Sequence, residues 1–136
     1  AALDLDAALG IADIIITTTT ATEPLFPDGL VRSGTHITAI GADCPGKQEL
    51  PTNLVTAASL RVCDMVRQSL NHGEFQTASR ANAKLQVTEL GHILSGAQAG
   101  RMLESDVTVV DLTGIAAQDI AITQTIIDAA KSTNRT

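Results

Sequence analysis

Continuous runs of apolar, largely β-branched residues mark the predicted strands of this chain. They lie over residues 12–16, 35–41, 60–64 and 106–111, and their lack of polar alternation is typical of strands that are covered on both faces. Helical segments separate them, which indicates parallel strands joined by crossover connections. We therefore predict an α/β fold of three layers with a mostly parallel sheet of about four strands.

Helices are predicted from terminal residues and from apolar positions that recur three and four residues apart. The clearest one covers 116–131, where Ile120, Thr123, Ile127 and Ala130 form an apolar stripe. Prolines and glycines punctuate residues 22–34, so at most one helical turn is expected there. The other predicted helices cover 3–10, 49–58 and 85–94. Within 65–83 we expect one short helix and then an irregular or helical stretch.

Charge and cysteine content exclude several classes of function. Fifteen acidic residues outweigh nine basic ones, and no basic stripe is present, so nucleic acid is not an expected partner. Cys44 and Cys63 have neither CxxC spacing nor a cluster of histidines nearby, so we expect no disulfide framework and no metal site. No apolar run is long enough to cross a membrane and no signal peptide is visible, so a cytoplasmic protein is expected.

The stretch HITAIGADCPGKQEL, residues 36–50, carries the most informative chemistry. A buried strand there ends on small residues and leads to Asp43 and Lys47. The carboxyl ends of parallel strands are where α/β sheets bind ligands, and a neighbouring lysine keeps an aspartate ionised, which favours an acid/base role for Asp43. The residues alone also fit an ordinary turn, because Asp-Cys-Pro-Gly is common turn chemistry.

The segment GADCPGKQEL, residues 41–50, closely resembles the signature of the ornithine cyclodeaminase/μ-crystallin family. Three other segments strengthen the resemblance: ADIIITTTT at 12–20, HGEFQ at 72–76, and the stretch from Glu89 to Asp119. The resemblance implies the later part of a Rossmann-type dinucleotide-binding domain. The glycine fingerprint G-x-G-x-x-G of such domains is not in this sequence. We therefore expect residues 1–136 to form a single, incomplete dinucleotide-binding domain, without the family's substrate and dimerisation domain.

The resemblance also implies an activity and a set of site residues. Ornithine cyclodeaminases convert L-ornithine to L-proline and ammonia through hydride transfer to and from NAD, and relatives are alanine dehydrogenases or ketimine reductases. Asp43 resembles the family's proton-shuttling acid, and Lys47 resembles its cofactor-contacting lysine. Thr19 resembles a threonine that lines the cofactor cleft, and Ile40 lies where the family's strand passes the cofactor ring. NADP is not excluded as the cofactor.

One position departs from the family pattern. Many relatives have Asp-Ser-Thr-Gly after the last strand, whereas this chain has Leu112 in place of the serine. An isobutyl group cannot form the hydrogen bond that a hydroxyl makes to a carboxamide, so the resemblance predicts that this contact to nicotinamide is missing.

The missing fingerprint predicts weak or absent NAD binding and no activity for this chain alone. The glycine turn would supply three charge-assisted hydrogen bonds to pyrophosphate at roughly 1.5–3 kcal/mol each. Their loss would raise the dissociation constant from micromolar to millimolar or more. An amino-acid substrate is then expected only in an intact enzyme. The alternative is a non-catalytic Rossmann module that forms a homodimer or complements another chain, because a partial sheet exposes an edge and an apolar face.

Overall fold

The structure is a computed structural model that describes residues 4–133. Leu3, the predicted start of the first helix, lies outside the described residues. The helices are α1 (Leu5–Ile11), α2 (Thr52–Ala57), α3 (Val66–His72), α4 (Phe75–Ala81), α5 (Leu90–Leu94) and α6 (Ala116–Thr133). The strands are β1 (Ile14–Thr17), β2 (His36–Ala39), β3 (Leu60–Cys63), β4 (Thr88–Glu89) and β5 (Thr108–Asp111).

The strands form one sheet in the order β1-β2-β5-β3-β4, and every pair is parallel. The predicted Rossmann-like α/β fold is therefore confirmed, with five strands in the described part of the chain. The additional strand is β4, which pairs with Val62 and Cys63 at the edge of the sheet. Strand β4 lies in the first half of the segment that was predicted as one helix over 85–94, and α5 forms the second half. A strand of two residues has too short a sequence pattern to be distinguished from a helix.

The hydrophobic core lies on one face of the sheet. Ile37 and Ala39 of β2 stand in register with Val109 and Asp111 of β5, and the apolar members of this set are fully buried. They pack with Cys63 of β3, Leu9 of α1, Val55 of α2, and Phe75 and Ala78 of α4. Helices α1, α2 and α4 thus cover this face of the sheet.

Two apolar surfaces of the described residues stay open. In β1 the side chains of Ile14 and Ile16, which point to the face opposite the core, are 64% and 63% exposed. Helix α6 forms as predicted, but all of its described residues are exposed, including Ile120 and Ile126. None of the described helices has the length and hydropathy needed to cross a bilayer.

Candidate functional site

The carboxyl ends of β1, β2 and β5 meet at one edge of the sheet, because the three strands are adjacent and parallel. Their last residues, Thr17, Ala39 and Asp111, pair across this edge. The loop that follows β2 carries both charged residues predicted for the site. This edge, with residues 40–50, is called the rim below.

Asp43 and Lys47 form an ion pair on the rim. The Lys47 Nζ donates to Asp43 Oδ1 at 2.5 Å. The side chain of Lys47 is 23% exposed and that of Asp43 is 52% exposed. The hydrogen bond from Lys47, followed by one from the Cys44 thiol, holds the pKa of Asp43 below its ordinary value. Asp43 also raises the pKa of Lys47, so both groups are charged at neutral pH. The structure thus brings together two of the four predicted site residues.

A tight turn places these two residues face to face. The Lys47 N–H donates to the Cys44 carbonyl at 3.2 Å, which closes a four-residue turn with Pro45 and Gly46 at its centre. Gly46 has a φ of 86°, a backbone conformation that glycine adopts without steric cost. The turn brings the chain back so that the Lys47 side chain reaches Asp43.

Beneath the rim, the buried Glu49 ties the ends of β1 and β2 together. One carboxylate oxygen, Oε1, accepts from Thr19 N at 2.5 Å and from Thr19 Oγ1 at 2.8 Å. The other, Oε2, accepts from Thr17 Oγ1 at 2.6 Å and from Gly41 N at 2.9 Å. Burial raises the pKa of Glu49, but these hydrogen bonds together outweigh it and hold the pKa below its ordinary value. Glu49 is therefore a structural carboxylate, ionised at neutral pH.

Gly41 is required by this arrangement. A Cβ atom at position 41 would lie 2.6 Å from Thr19 N and 2.5 Å from Glu49 Oε1, closer than side-chain atoms approach one another. Only a residue without a side chain lets the loops after β1 and β2 run this close together.

A second buried carboxylate, Glu74, supports the end of the same loop. It accepts from Leu50 N at 2.7 Å and from Glu49 N at 2.9 Å, and it lies between α3 and α4. Burial, with smaller contributions from the carboxylates of Asp111 and Glu49, raises the pKa of Glu74 to about 7 in spite of the lowering effect of the two amides. Glu74 thus changes protonation state close to neutral pH.

Asp111, at the end of β5, is the third buried carboxylate. Its Oδ2 accepts from the Ser69 hydroxyl, while its Oδ1 has no hydrogen-bond partner among the described residues. Burial raises the pKa of Asp111 to about 6 in spite of the lowering effect of the Ser69 hydrogen bond. The next residue, Leu112, donates its N–H to Ala39 O at 3.0 Å, so its backbone lies beside the end of β2.

The other two predicted site residues lie on the same rim. Ile40 follows β2 directly and is 43% exposed, so its apolar side chain is open to a ligand. The hydroxyl of Thr19 donates to Glu49 and accepts from Ala21 N at 3.3 Å. Thr19 therefore has a structural role, and its cofactor contact stays a prediction.

Three residues that hold the rim were not predicted as site residues: Glu49, Glu74 and Gln76. The amide of Gln76 is buried and contacts the backbone of the turn at 44–47. A signal for them exists in the sequence, since Glu49 lies in segment 41–50 and Glu74 and Gln76 lie in segment 72–76, both of which carry the resemblance to the family. Within residues 4–133, no group of three or more His, Cys, Asp or Glu side chains is arranged to hold a metal ion.

Comparison of the sequence with known proteins finds several relatives, among them two reductases and a dehydrogenase. The chain is 39% identical over 132 residues to iminosuccinate reductase of Paracoccus denitrificans, covering 96% of this chain and 41% of that protein. It is 35% identical to alanine dehydrogenase of Archaeoglobus fulgidus, covering 90% of this chain and 38% of the relative. It is 33% identical to the Delta(1)-pyrroline-2-carboxylate reductase of Bacillus cereus, covering 93% and 40%. The chain thus spans about two fifths of each relative's length.

Solved structures give the same result. The crystal structure of the Paracoccus denitrificans iminosuccinate reductase in complex with NAD+ superposes with a TM-score of 0.91 at 38% identity, over 98% of this chain and 42% of that one. An archaeal alanine dehydrogenase dimer with bound NAD superposes with a TM-score of 0.87 at 33% identity, over the same shares. The family model for the ornithine cyclodeaminase/mu-crystallin family matches residues 1–134, and the chain belongs to that family.

Proposed function

We propose that this chain forms the nicotinamide-facing part of an NAD(P)-dependent enzyme that interconverts α-imino acids and α-amino acids. The ion pair between Asp43 and Lys47 at the end of β2, beside the exposed Ile40, is the observation that carries the proposal. The names of the relatives support this choice of chemistry, because each concerns a carbon–nitrogen bond next to a carboxylate.

The residues on the rim fit the nicotinamide end of the cofactor. Ile40 offers an exposed apolar side chain to an aromatic ring, and Lys47 offers a cation to the polar groups around it. Leu112 offers no hydroxyl for the carboxamide. The glycine turn that binds pyrophosphate is not in this sequence, so the fit extends only to the nicotinamide end. Weak NAD binding by this chain alone therefore stays a prediction.

Asp43 is the candidate acid/base of the reaction. When bound, the nicotinamide supplies or accepts the hydride at the α-carbon. Since Lys47 keeps Asp43 ionised, the carboxylate stabilises a positive iminium nitrogen in the reductive direction and accepts a proton from an ammonium group in the other. Lys47 occupies Oδ1, and the half-exposed carboxylate leaves room for the substrate nitrogen.

Ornithine cyclodeamination is the finer alternative within the same proposal, because it passes through an α-imino acid as well. The two branches differ in net redox change, since a reductase consumes reduced nicotinamide and a cyclodeaminase returns the hydride that it took. The same Asp43 would serve the nitrogen in both.

The test is an assay of the product of the complete reading frame that encodes this sequence. We expect oxidation of NADH or NADPH with at least one α-imino acid from iminosuccinate, iminopyruvate and Δ1-pyrroline-2-carboxylate. Formation of proline and ammonia from L-ornithine, without net nicotinamide reduction, would select the cyclodeaminase branch. The absence of both nicotinamide oxidation and ornithine turnover would overturn the proposal.

A second candidate function is a self-associating module, which the open surface of β1 favours. Within the described residues β1 pairs only with β2, and Ile14 and Ile16 are exposed beside its free edge. An archaeal relative is a dimer with bound NAD. We expect sedimentation velocity to show concentration-dependent association, and Ile16→Lys to abolish it because the substitution places a charge on that surface. A compact monomer at millimolar concentration would contradict this candidate.

A further inference from the structure

One buried side chain, Gln76 of α4, forms hydrogen bonds to the backbone of the turn at 44–47. Its Oε1 accepts from Gly46 N at 2.9 Å, and its Nε2 donates to Lys47 O at 3.0 Å. The same Nε2 lies 3.0 Å from Gly73 O, which anchors the amide to the junction between α3 and α4. Gln76 is 1% exposed, so its amide depends on these protein groups for its hydrogen bonds.

These contacts fix the backbone on both sides of one peptide bond. Gly46 N and Lys47 O belong to the two residues that complete the turn, and Gln76 satisfies both at once. Without that amide, a donor and an acceptor of the turn would lose their partners at a partly buried position. The direction in which the Lys47 side chain leaves the backbone therefore depends on Gln76.

We propose that Gln76 is a positioning residue for the reaction: its buried amide fixes the turn at 44–47 so that the Lys47 ammonium stays against the Asp43 carboxylate. This role rests on the proposed function, in which Asp43 faces the substrate nitrogen. Gln76 touches neither Asp43 nor the Lys47 ammonium, so it acts only through the backbone.

The groups that act electrostatically on the ion pair are few. Cys44 acts on both members, and Glu49 acts on Lys47. None of them is replaced in the variants below. A change in the titration of Asp43 therefore reports the placement of the turn residues that act on it, Lys47 first and Cys44 second.

The test is an NMR titration of the Asp43 carboxyl carbon in the chain, with Gln76→Met as the variant. Methionine has nearly the same length as glutamine but forms neither hydrogen bond, so we expect the pKa of Asp43 to rise toward its ordinary value. Gln48→Met is the matched control. Gln48 lies in the same loop, but its amide donates to Leu50 O and Thr52 Oγ1, and this variant should leave the pKa of Asp43 unchanged.

Gln76→Glu provides a rescue. In the range where Asp43 titrates, a buried glutamic acid at position 76 is protonated, so it accepts from Gly46 N and donates to a carbonyl. We expect this variant to restore the wild-type pKa of Asp43. Should Q76M fail to fold, Gln76→Asn takes its place, because it is too short to reach both backbone groups and should raise the same pKa.

The titration needs no substrate, so its outcome is independent of the assay of the complete enzyme. A folded Q76M or Q76N variant with an unchanged pKa of Asp43 overturns the positioning role, whatever the enzyme assay shows. A raised pKa in a protein without imino-acid activity overturns only the proposed function. In the active enzyme Q76M should lower kcat by about 10–10²-fold with little change in KM, because small misplacements of a reacting group have effects of this size.

Discussion

Replacing Glu49 by glutamine is expected to lower the free energy of unfolding by about 3–5 kcal/mol at pH 7, because an unpaired buried donor costs about 1–3 kcal/mol and the remaining hydrogen bonds lose their charge. A protein of this size is stabilised by about 5–15 kcal/mol, so the variant should be only marginally folded. The measurement is the free energy of unfolding from urea denaturation.

The geometry leaves glutamine no favourable orientation. Each carboxylate oxygen of Glu49 accepts one backbone N–H, from Thr19 on Oε1 and from Gly41 on Oε2. Whichever oxygen the substitution converts to NH2, that group faces a backbone N–H that cannot turn away. The hydroxyls of Thr17 and Thr19 can rotate to adapt, but the two amides belong to the chain segments that Glu49 joins.

The same substitution at Glu74 is the matched control, with the opposite sign expected. Both amides that bind Glu74 lie within reach of a single oxygen, since Oε1 is 2.7 Å from Leu50 N and 3.2 Å from Glu49 N. A glutamine oxygen can keep both contacts, while the buried charge is removed. We therefore expect E74Q to be at least as stable as the wild type at pH 8.

The pH dependence follows from the direction of each pKa shift. The folded pKa of Glu74 is raised from 4.5 to about 7, so its contribution to stability is complete below pH 4.5 and is lost as the pH rises through 7. That loss amounts to roughly 3 kcal/mol in the wild type and is absent in E74Q. The folded pKa of Glu49 is lowered, so its contribution is present above pH 4.5 and is lost as the pH falls. A stable E49Q variant at pH 7 would refute the structural role of this carboxylate.

The parallel sheet could be predicted from the sequence because its signal is local. Strands β2, β3 and β5 lie within the apolar runs that predicted them, and β1 ends one residue beyond its run, since β-branched residues favour extended backbone in a buried sheet. Helix α6 could also be predicted, from the spacing of its apolar residues. In contrast, β4 consists of two residues whose only strand feature is the pairing with β3, and no local pattern shows a pairing.

Only the part of the candidate site that is formed by residues close together in the sequence could be predicted. Asp43 and Lys47 lie four residues apart in a turn, so the sequence displays both partners of the contact together. Glu49 binds groups 30 and 32 residues away, and Glu74 binds groups 24 and 25 residues away. No local pattern shows these distant partners, because only the fold brings their backbone to the two carboxylates.

Replacing Asp43 by asparagine is expected to lower kcat/KM of the complete enzyme by about 10²–10⁴-fold, the range that a positioned acid or base contributes. Asparagine keeps the size of the side chain but removes both the charge that stabilises an iminium nitrogen and the ability to accept a proton. Because these interactions strengthen in the transition state, kcat should fall with kcat/KM while KM changes little. Steady-state kinetics in both directions, with the free energy of unfolding measured in parallel, checks the result.

Asp13→Asn is the control for this prediction. Asp13 also forms an ion pair, with Arg32, but it precedes β1 and therefore lies at the opposite edge of the sheet from Asp43. Both variants remove one exposed, paired carboxylate, so a general effect of charge or stability would appear in both. The proposed function requires that only D43N loses activity. If D43N retained wild-type kcat, or if D13N lost as much, the ion pair with Lys47 would be an ordinary surface contact, which contributes at most about 1 kcal/mol, and the acid/base role would have to be assigned to another group.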